Sequence, residues 1–153
     1  MFFQAIADIG ARIAKLDRNE ILTEIWRMPE VQDFIINLNT ENQLRIGDLA
    51  NGKKTPELDP NYLEGKRAIY GRDVNPTPFT NFRLTGEFYE TFDIKILDNG
   101  FLIIANTTIY GRDFIKDYGF DILGLTDESI NQLISFVRPI WIEKVEERIF
   151  PKL

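Results

Sequence analysis

The chain has 153 residues, carries 24 acidic against 18 basic side chains for a net charge of −6, and contains neither cysteine nor histidine. Those absences exclude disulfides, zinc–thiolate sites, thiol catalysis and every Ser-His or Cys-His arrangement. The acidic balance argues against general affinity for nucleic acid, which depends on basic patches, and against docking on anionic membranes.

An apolar fraction of 44% and a charged fraction of 27% are ordinary for a globular protein. A chain of this length suits one domain, residues 1–153, that buries roughly 70% of the surface its unfolded form exposes. No stretch approaches the roughly 18 consecutive apolar residues of a membrane span. The first sixteen positions are apolar but interrupted by Gln4, Asp8, Arg12 and Lys15, so they do not read as a secretory signal and the expectation is a soluble protein.

Helices are expected over about residues 2–46. Phe2, Ile6, Ile9, Ile13 and Leu16 recur at steps of four and three, one apolar stripe of a first helix. Asn19 is read as the N-cap of a second, with Leu22, Ile25 and Trp26 on one face. Pro29 fits the first position of a third, with Val31, Phe34, Ile35 and Leu38 as its buried side and its end near Ile46. The first helix is also a candidate for packing on another subunit, since terminal helices fray unless something holds them.

Over about residues 47–84 apolar periodicity disappears. Pro56, Pro60, Pro76 and Pro78 lie there, and the stretch is read as a long irregular loop, the kind that is usually functional or disordered. It mixes Tyr62, Tyr70, Phe79 and Phe82 with Lys53, Lys54, Glu64, Lys66, Arg67, Arg72 and Asp73, typical contact material for protein interfaces.

A short helix and a β hairpin are expected over about residues 85–106. Thr85 is read as the cap of the short helix, with Phe88 and Phe92 on one face. Phe92, Ile94 and Ile96 alternate with Asp93 and Lys95 as in a half-buried strand, and Asp98-Asn99-Gly100 is read as a tight turn that uses positive φ. The returning run Phe101-Leu102-Ile103-Ile104-Ala105 is apolar on both faces, hence covered on both or placed at an interface. A single helical turn is expected from Asp113, ending at Gly119. Thr126 then caps a closing helix over about residues 127–149 that Pro139 should kink. The fold class is α+β: N-terminal helices, a long loop, a short helix, a hairpin within a small antiparallel sheet, and a long C-terminal helix.

The residues offer little chemistry. Glu87 with Asp93-Ile94-Lys95 has the form of a magnesium-dependent nuclease motif, but a half-exposed strand yields that alternation by default. Asp113, Asp117 and Asp121 fall at a spacing of four, yet Gly119 breaks the helix that would align them. Asn106-Thr107-Thr108 matches a glycosylation acceptor by chance, and Gly65 and Gly71 form no phosphate cradle. The expectation is therefore a protein that binds other proteins, with no catalytic, cofactor or metal residues.

The stretch Leu38-Asn39-Thr40-Glu41-Asn42-Gln43-Leu44, followed by Gly47-Asp48 and Gly52-Lys53, points further. So do Leu84-Thr85-Gly86-Glu87-Phe88 ahead of a hairpin and Asp121-Ile122-Leu123-Gly124-Leu125-Thr126 ahead of the last helix. Together they resemble the small neck or tail-completion proteins of tailed phages, also called virion morphogenesis proteins, in their Bacteroides-type variants. The resemblance covers roughly residues 36–149. The middle loop matches poorly: of the family's Tyr-Ser-x-x-Thr element only Tyr62 stands near the expected place. The resemblance implies a structural virion protein that forms a ring of its own copies between portal and tail and has no catalytic residues to carry over. Its partners would be its own copies and portal, adaptor or tail proteins, with DNA passing through the channel without specific binding. An acidic lumen would repel the DNA phosphates. The alternative reading is a small acidic monomeric regulator from a phage or mobile element that acts by protein interaction.

Overall fold

A computed structural model gives residues 1–152, with Phe2 by its backbone alone; the Phe2 member of the first stripe thus lies outside the described residues. The architecture is α+β, with seven α-helices and two two-stranded antiparallel sheets among the described residues.

The chain opens with α1 (Phe2–Ala14), α2 (Arg18–Trp26) and α3 (Pro29–Asn37). Helix α2 begins two residues earlier than the sequence reading placed it. Asp17, not Asn19, is the N-cap, and its Oδ1 accepts from the backbone N–H of Asn19 at 2.9 Å and Glu20 at 3.2 Å. Pro29 occupies the first turn of α3, as its missing N–H favours. Helix α3 does run on to Ile46, but through a π-helical turn (Leu38–Gln43) and a 3-10 turn (Leu44–Ile46) that ends at Gly47 with φ 82°.

Residues 47–84 are not a structureless loop. They contain α4 (Pro60–Tyr70) and a 3-10 turn (Arg72–Val74). The flanks of α4 are tied to each other: Leu58 N–H donates to Pro78 O at 2.8 Å and Thr80 N–H to Pro56 O at 2.9 Å. Helix α4 has the start and stop signals of an ordinary helix, with Asp59 capping it, Pro60 in the first turn and Gly71 at the end. It lacks an apolar stripe because its buried residues are Leu63 and Lys66. A lysine on the inward face leaves no periodicity to read.

Helix α5 (Glu87–Glu90) follows Gly86, which takes φ 91° and serves as N-cap without a side-chain bond. Thr85 does not cap it; its hydroxyl lies 3.3 Å from Tyr110 OH. Strands β1 (Asp93–Leu97) and β2 (Gly100–Ile104) pair antiparallel, Leu97 opposite Gly100 and Ile94 opposite Ile103. None of Asp98, Asn99 and Gly100 takes the left-handed φ that the turn was expected to need. That geometry occurs in a second, unexpected hairpin, β3 (Thr108–Ile109) with β4 (Arg112–Asp113), where Tyr110 has φ 58° and Gly111 φ 71°. Helix α6 (Phe114–Tyr118) is the short turn expected before Gly119; Asp113, expected to open it, serves as its N-cap, accepting from Lys116 N–H. Helix α7 (Asp127–Ile149) is capped by Thr126 and continues through Pro139 as one helix.

Two clusters make the core. One joins Ile21, Ile25, Val31, Ile35, Ile94, Leu133 and Val137 from α2, α3, β1 and α7. The other is aromatic: Phe82, Phe88, Phe92 and Phe114 pack with Leu44, Leu49 and Ile122. The Phe88 ring lies 5.0 Å from Phe114 and 5.2 Å from Phe92, both edge-on. Such pairs contribute about 0.5–1.5 kcal/mol each beyond area burial.

Between the clusters lies a polar junction. Asn39 Nδ2 donates to Ile122 O at 3.1 Å and its Oδ1 accepts from Gly124 N–H at 2.9 Å. One turn on, Gln43 Nε2 donates to Gly124 O and its Oε1 accepts from Thr126 N–H, both at 2.9 Å. Two buried amides thus pair with main-chain donors and acceptors of residues 122–126, the link from a 3-10 turn (Phe120–Ile122) to the last helix.

Candidate interaction surface

The strongest candidate surface is an apolar groove on one flank of α7. Residues of α7 recur at three and four, and the core takes only part of that arc. Leu133 and Val137 are buried, while Ile130 and Ile134 remain 41% and 47% exposed. Facing them are Leu22 and Trp26 of α2 and Phe101 of β2, which enclose about 650 Å³ together with Trp141. Trp26 meets Phe101 edge-on at 5.0 Å. Both tryptophans of the chain line this groove, and Arg18 and Arg138 are its only charged residues. A hollow of about 470 Å³ adjoins it, sharing Arg18 and Trp141 and lined also by Ile13 of α1 and by Leu16 just after it. The apolar face therefore runs from α7 across α2 to α1. Helix α1 is anchored where Arg12 Nη1 donates to Ile149 O at 2.8 Å, while Ile6 and Ile13 stay half-exposed.

A second apolar patch lies on the opposite face of the β1–β2 hairpin. Phe101 and Ile103 turn toward the core, whereas Leu102 and Ile104 are 49% and 41% exposed. Alternate residues of a strand point to opposite faces, so a strand apolar at every position has one face covered within the chain and one left outward. Lys95 lies opposite Leu102, and Asp93 opposite Ile104, on that outward face.

The candidate chemistry disperses. Asp93 and Lys95 share the exposed face of the hairpin, with Asp93 Oδ1 accepting from Ile94 N–H at 2.8 Å, and Glu87 sits in the first turn of α5. Asp113 caps α6, Asp117 pairs with Arg112 at 2.9 Å, and Asp121 accepts from Asn51 Nδ2 at 2.9 Å. Among the described residues no group of three or more Asp or Glu is placed to hold a metal ion. Asn106 Oδ1 accepts from Thr108 N–H at 3.3 Å within its own exposed turn. Of the aromatics in residues 47–84, Tyr62 and Tyr70 are exposed on α4 and available for contact, whereas Phe82 is buried and Phe79 lies beneath Lys54, 5.3 Å from the ammonium to the ring centroid.

Sequence reasoning did not find the groove as a site: it placed Leu22, Ile25 and Trp26 on one face of the second helix and singled out no open face on the closing helix. No signal in the α7 stripe marks it: Ile130, Leu133, Ile134, Val137 and Trp141 fall within an arc of about 100°, the width of an ordinary buried face.

No helix among the described residues is long and apolar enough to cross a membrane. No family model, no curated protein and no solved structure matches the chain.

Proposed function

We propose that this chain is a structural protein of a tailed-phage virion that assembles as a ring in the neck or tail connector and works through protein contacts, without catalysis. The observation that carries the reading is the pair of apolar patches on opposite sides of the β1–β2 hairpin. One is the groove around Trp26 and Trp141, the other the Leu102–Ile104 face. Neighbouring apolar side chains left exposed together are what a contact between copies would cover. Two different patches on opposite sides of a subunit join copies head to tail, and a head-to-tail contact closes into a ring when the rotation per step allows.

In this reading the Leu102–Ile104 face of one copy seats in the groove of the next. Of the charges on that face, Asp93 complements Arg18 and Arg138 of the groove. The segments that resemble the phage neck proteins fit the same account. Residues 38–44 and 121–126 touch through the Asn39 and Gln43 amides, so they form one structural unit that sets the start of α7. Its neighbours are copies of itself and portal, adaptor or tail proteins, and DNA passes through the ring without specific contact.

Cryo-electron microscopy of the neck in assembled particles tests the proposal. Density for a ring of this chain at the portal–tail junction is expected. Absence of the chain from purified particles rejects it and favours the monomeric interaction regulator.

A further inference from the structure

A cavity of about 300 Å³ lies between α4, residues 80–84, the β3–β4 turn and α6. It lies apart from the groove and shares no lining residue with it. Its wall holds Lys66, Arg83 and Arg112 and no carboxylate, in a chain whose acids outnumber its bases. Lys66 is 8% exposed, and its ammonium donates to Asn75 Oδ1 at 2.7 Å and Asn81 Oδ1 at 3.1 Å, both neutral oxygens. Burial, with the Arg83 charge added, lowers its pKa to about 8. A buried cation without a counterion is costly, and an anion brought beside it offsets that cost. Arg83 is only loosely engaged, 3.6 Å from Glu41 and a third exposed.

The backbone adds an independent observation. Phe82 at φ 57° and Tyr110 at φ 58° are the non-glycine residues with positive φ among the described residues, and both line this cavity. A bulky residue in that region costs of order 1–3 kcal/mol, and such strain clusters at ligand sites. The Phe82 ring offsets its strain within the aromatic core, 5.1 Å from Phe114 and 4.8 Å from Tyr118. The Tyr110 ring stacks on no other described ring and its hydroxyl has only the 3.3 Å contact with Thr85 Oγ1; it is 41% exposed at a turn position that asparagine or glycine fills at lower cost. What the tyrosine supplies there is a ring and hydroxyl at the cavity.

We infer that this cavity binds a small organic anion, with a carboxylate or phosphate head between Lys66 and Arg83 and a planar body against Tyr62 and Tyr110. Cations supply the charge contact, aromatic faces accept a planar group, and the volume is at the lower end of ligand sites. The inference is independent of ring assembly.

The test is titration of the full chain with AMP, phenylacetate and inorganic phosphate, followed by backbone amide NMR. Saturable shifts centred on Lys66, Arg83 and Tyr110 are expected with at least one aromatic anion, about tenfold tighter than with inorganic phosphate because stacking adds on the order of 1.4 kcal/mol. Which aromatic anion binds identifies the head group. Arg83→Gln and Tyr110→Gly should each weaken binding by roughly fivefold or more, and Tyr110→Gly should not lower the melting temperature, since glycine relieves the turn. No saturable shift at millimolar concentration, inorganic phosphate binding as tightly, or unchanged affinity in both variants would overturn the inference.

Discussion

The backbone N–H of Gly124 donates to Oδ1 of Asn39 at 2.9 Å, across 85 positions of sequence. The other end of the same amide donates to Ile122 O, so one buried side chain satisfies a donor and an acceptor on the segment that leads into α7. Gln43, one turn later, repeats the pattern on Gly124 O and Thr126 N–H. Removing either amide leaves buried or part-buried main-chain groups without partners, at up to about 1–3 kcal/mol per group. Asn39→Ala should therefore destabilise the fold by roughly 2–4 kcal/mol, against less than about 1 kcal/mol for the exposed Asn42→Ala. Urea midpoints of the two variants decide this; equal midpoints would remove the amides from any structural role.

Gly47 and Gly52 separate strain from crowding. Both have left-handed φ, 82° and 79°. A Cβ at Gly47 would overlap Phe79 Cβ and come within 2.8 Å of Thr55 Oγ1, whereas one at Gly52 meets nothing within 4 Å. Gly52→Ala should cost only the conformational term, about 1–2 kcal/mol. Gly47→Ala should cost more than about 3 kcal/mol, because the loop must also move off Phe79. Thermal melts of the two single variants read the difference directly.

Lys66 gives a signed pH dependence. Burial first, and Arg83 second, lower its pKa from 10.5 to about 8. Between those values the unfolded chain holds a proton that the folded chain has released, so stability rises with pH from about 8 toward 10.5. Below about 8 both states are charged and the folded chain bears the full cost of burying the ammonium. Tyr89 opposes this at higher pH: burial first, then Glu41, raise its pKa above the ordinary 10.0, so stability is lost as the unfolded tyrosine ionises. The clean window is therefore about pH 8 to 10. Urea midpoints of the parent chain should rise across it, and those of Lys66→Met should stay flat by comparison. Parallel curves would place Lys66 outside the buried charge balance.

The two apolar patches predict how association fails. Leu102→Glu and Ile134→Glu change exposed positions, so each variant should melt within a few degrees of the parent, a stability change of about 0.5 kcal/mol or less. Each should block assembly when alone. Mixed together, they retain one intact hairpin face and one intact groove between them, and should form a dimer that cannot extend. Mass photometry of the mixture distinguishes this from a two-fold contact, in which the mixture would stay monomeric.

Much of the fold was legible because its signals are local. The Pro29 helix start, the Thr126 cap, the alternation from Phe92 to Ile96 and the stop at Gly119 depend on residues a few positions apart, and backbone sterics decide them without help from the rest of the chain. So do the absence of histidine and cysteine and what that excludes. Tertiary structure decided the rest, for two physical reasons. A helix whose inward residue is a lysine, as in α4, shows no apolar period; only the Asn75 and Asn81 oxygens, supplied from outside the helix, make its burial tolerable. And a stripe of ordinary width that the core only partly covers, as on α7, reads the same in sequence whether the remainder is covered or left open. Which residues become groove and which become core is set by where α2 and β2 come to rest, and that depends on contacts between segments far apart in sequence.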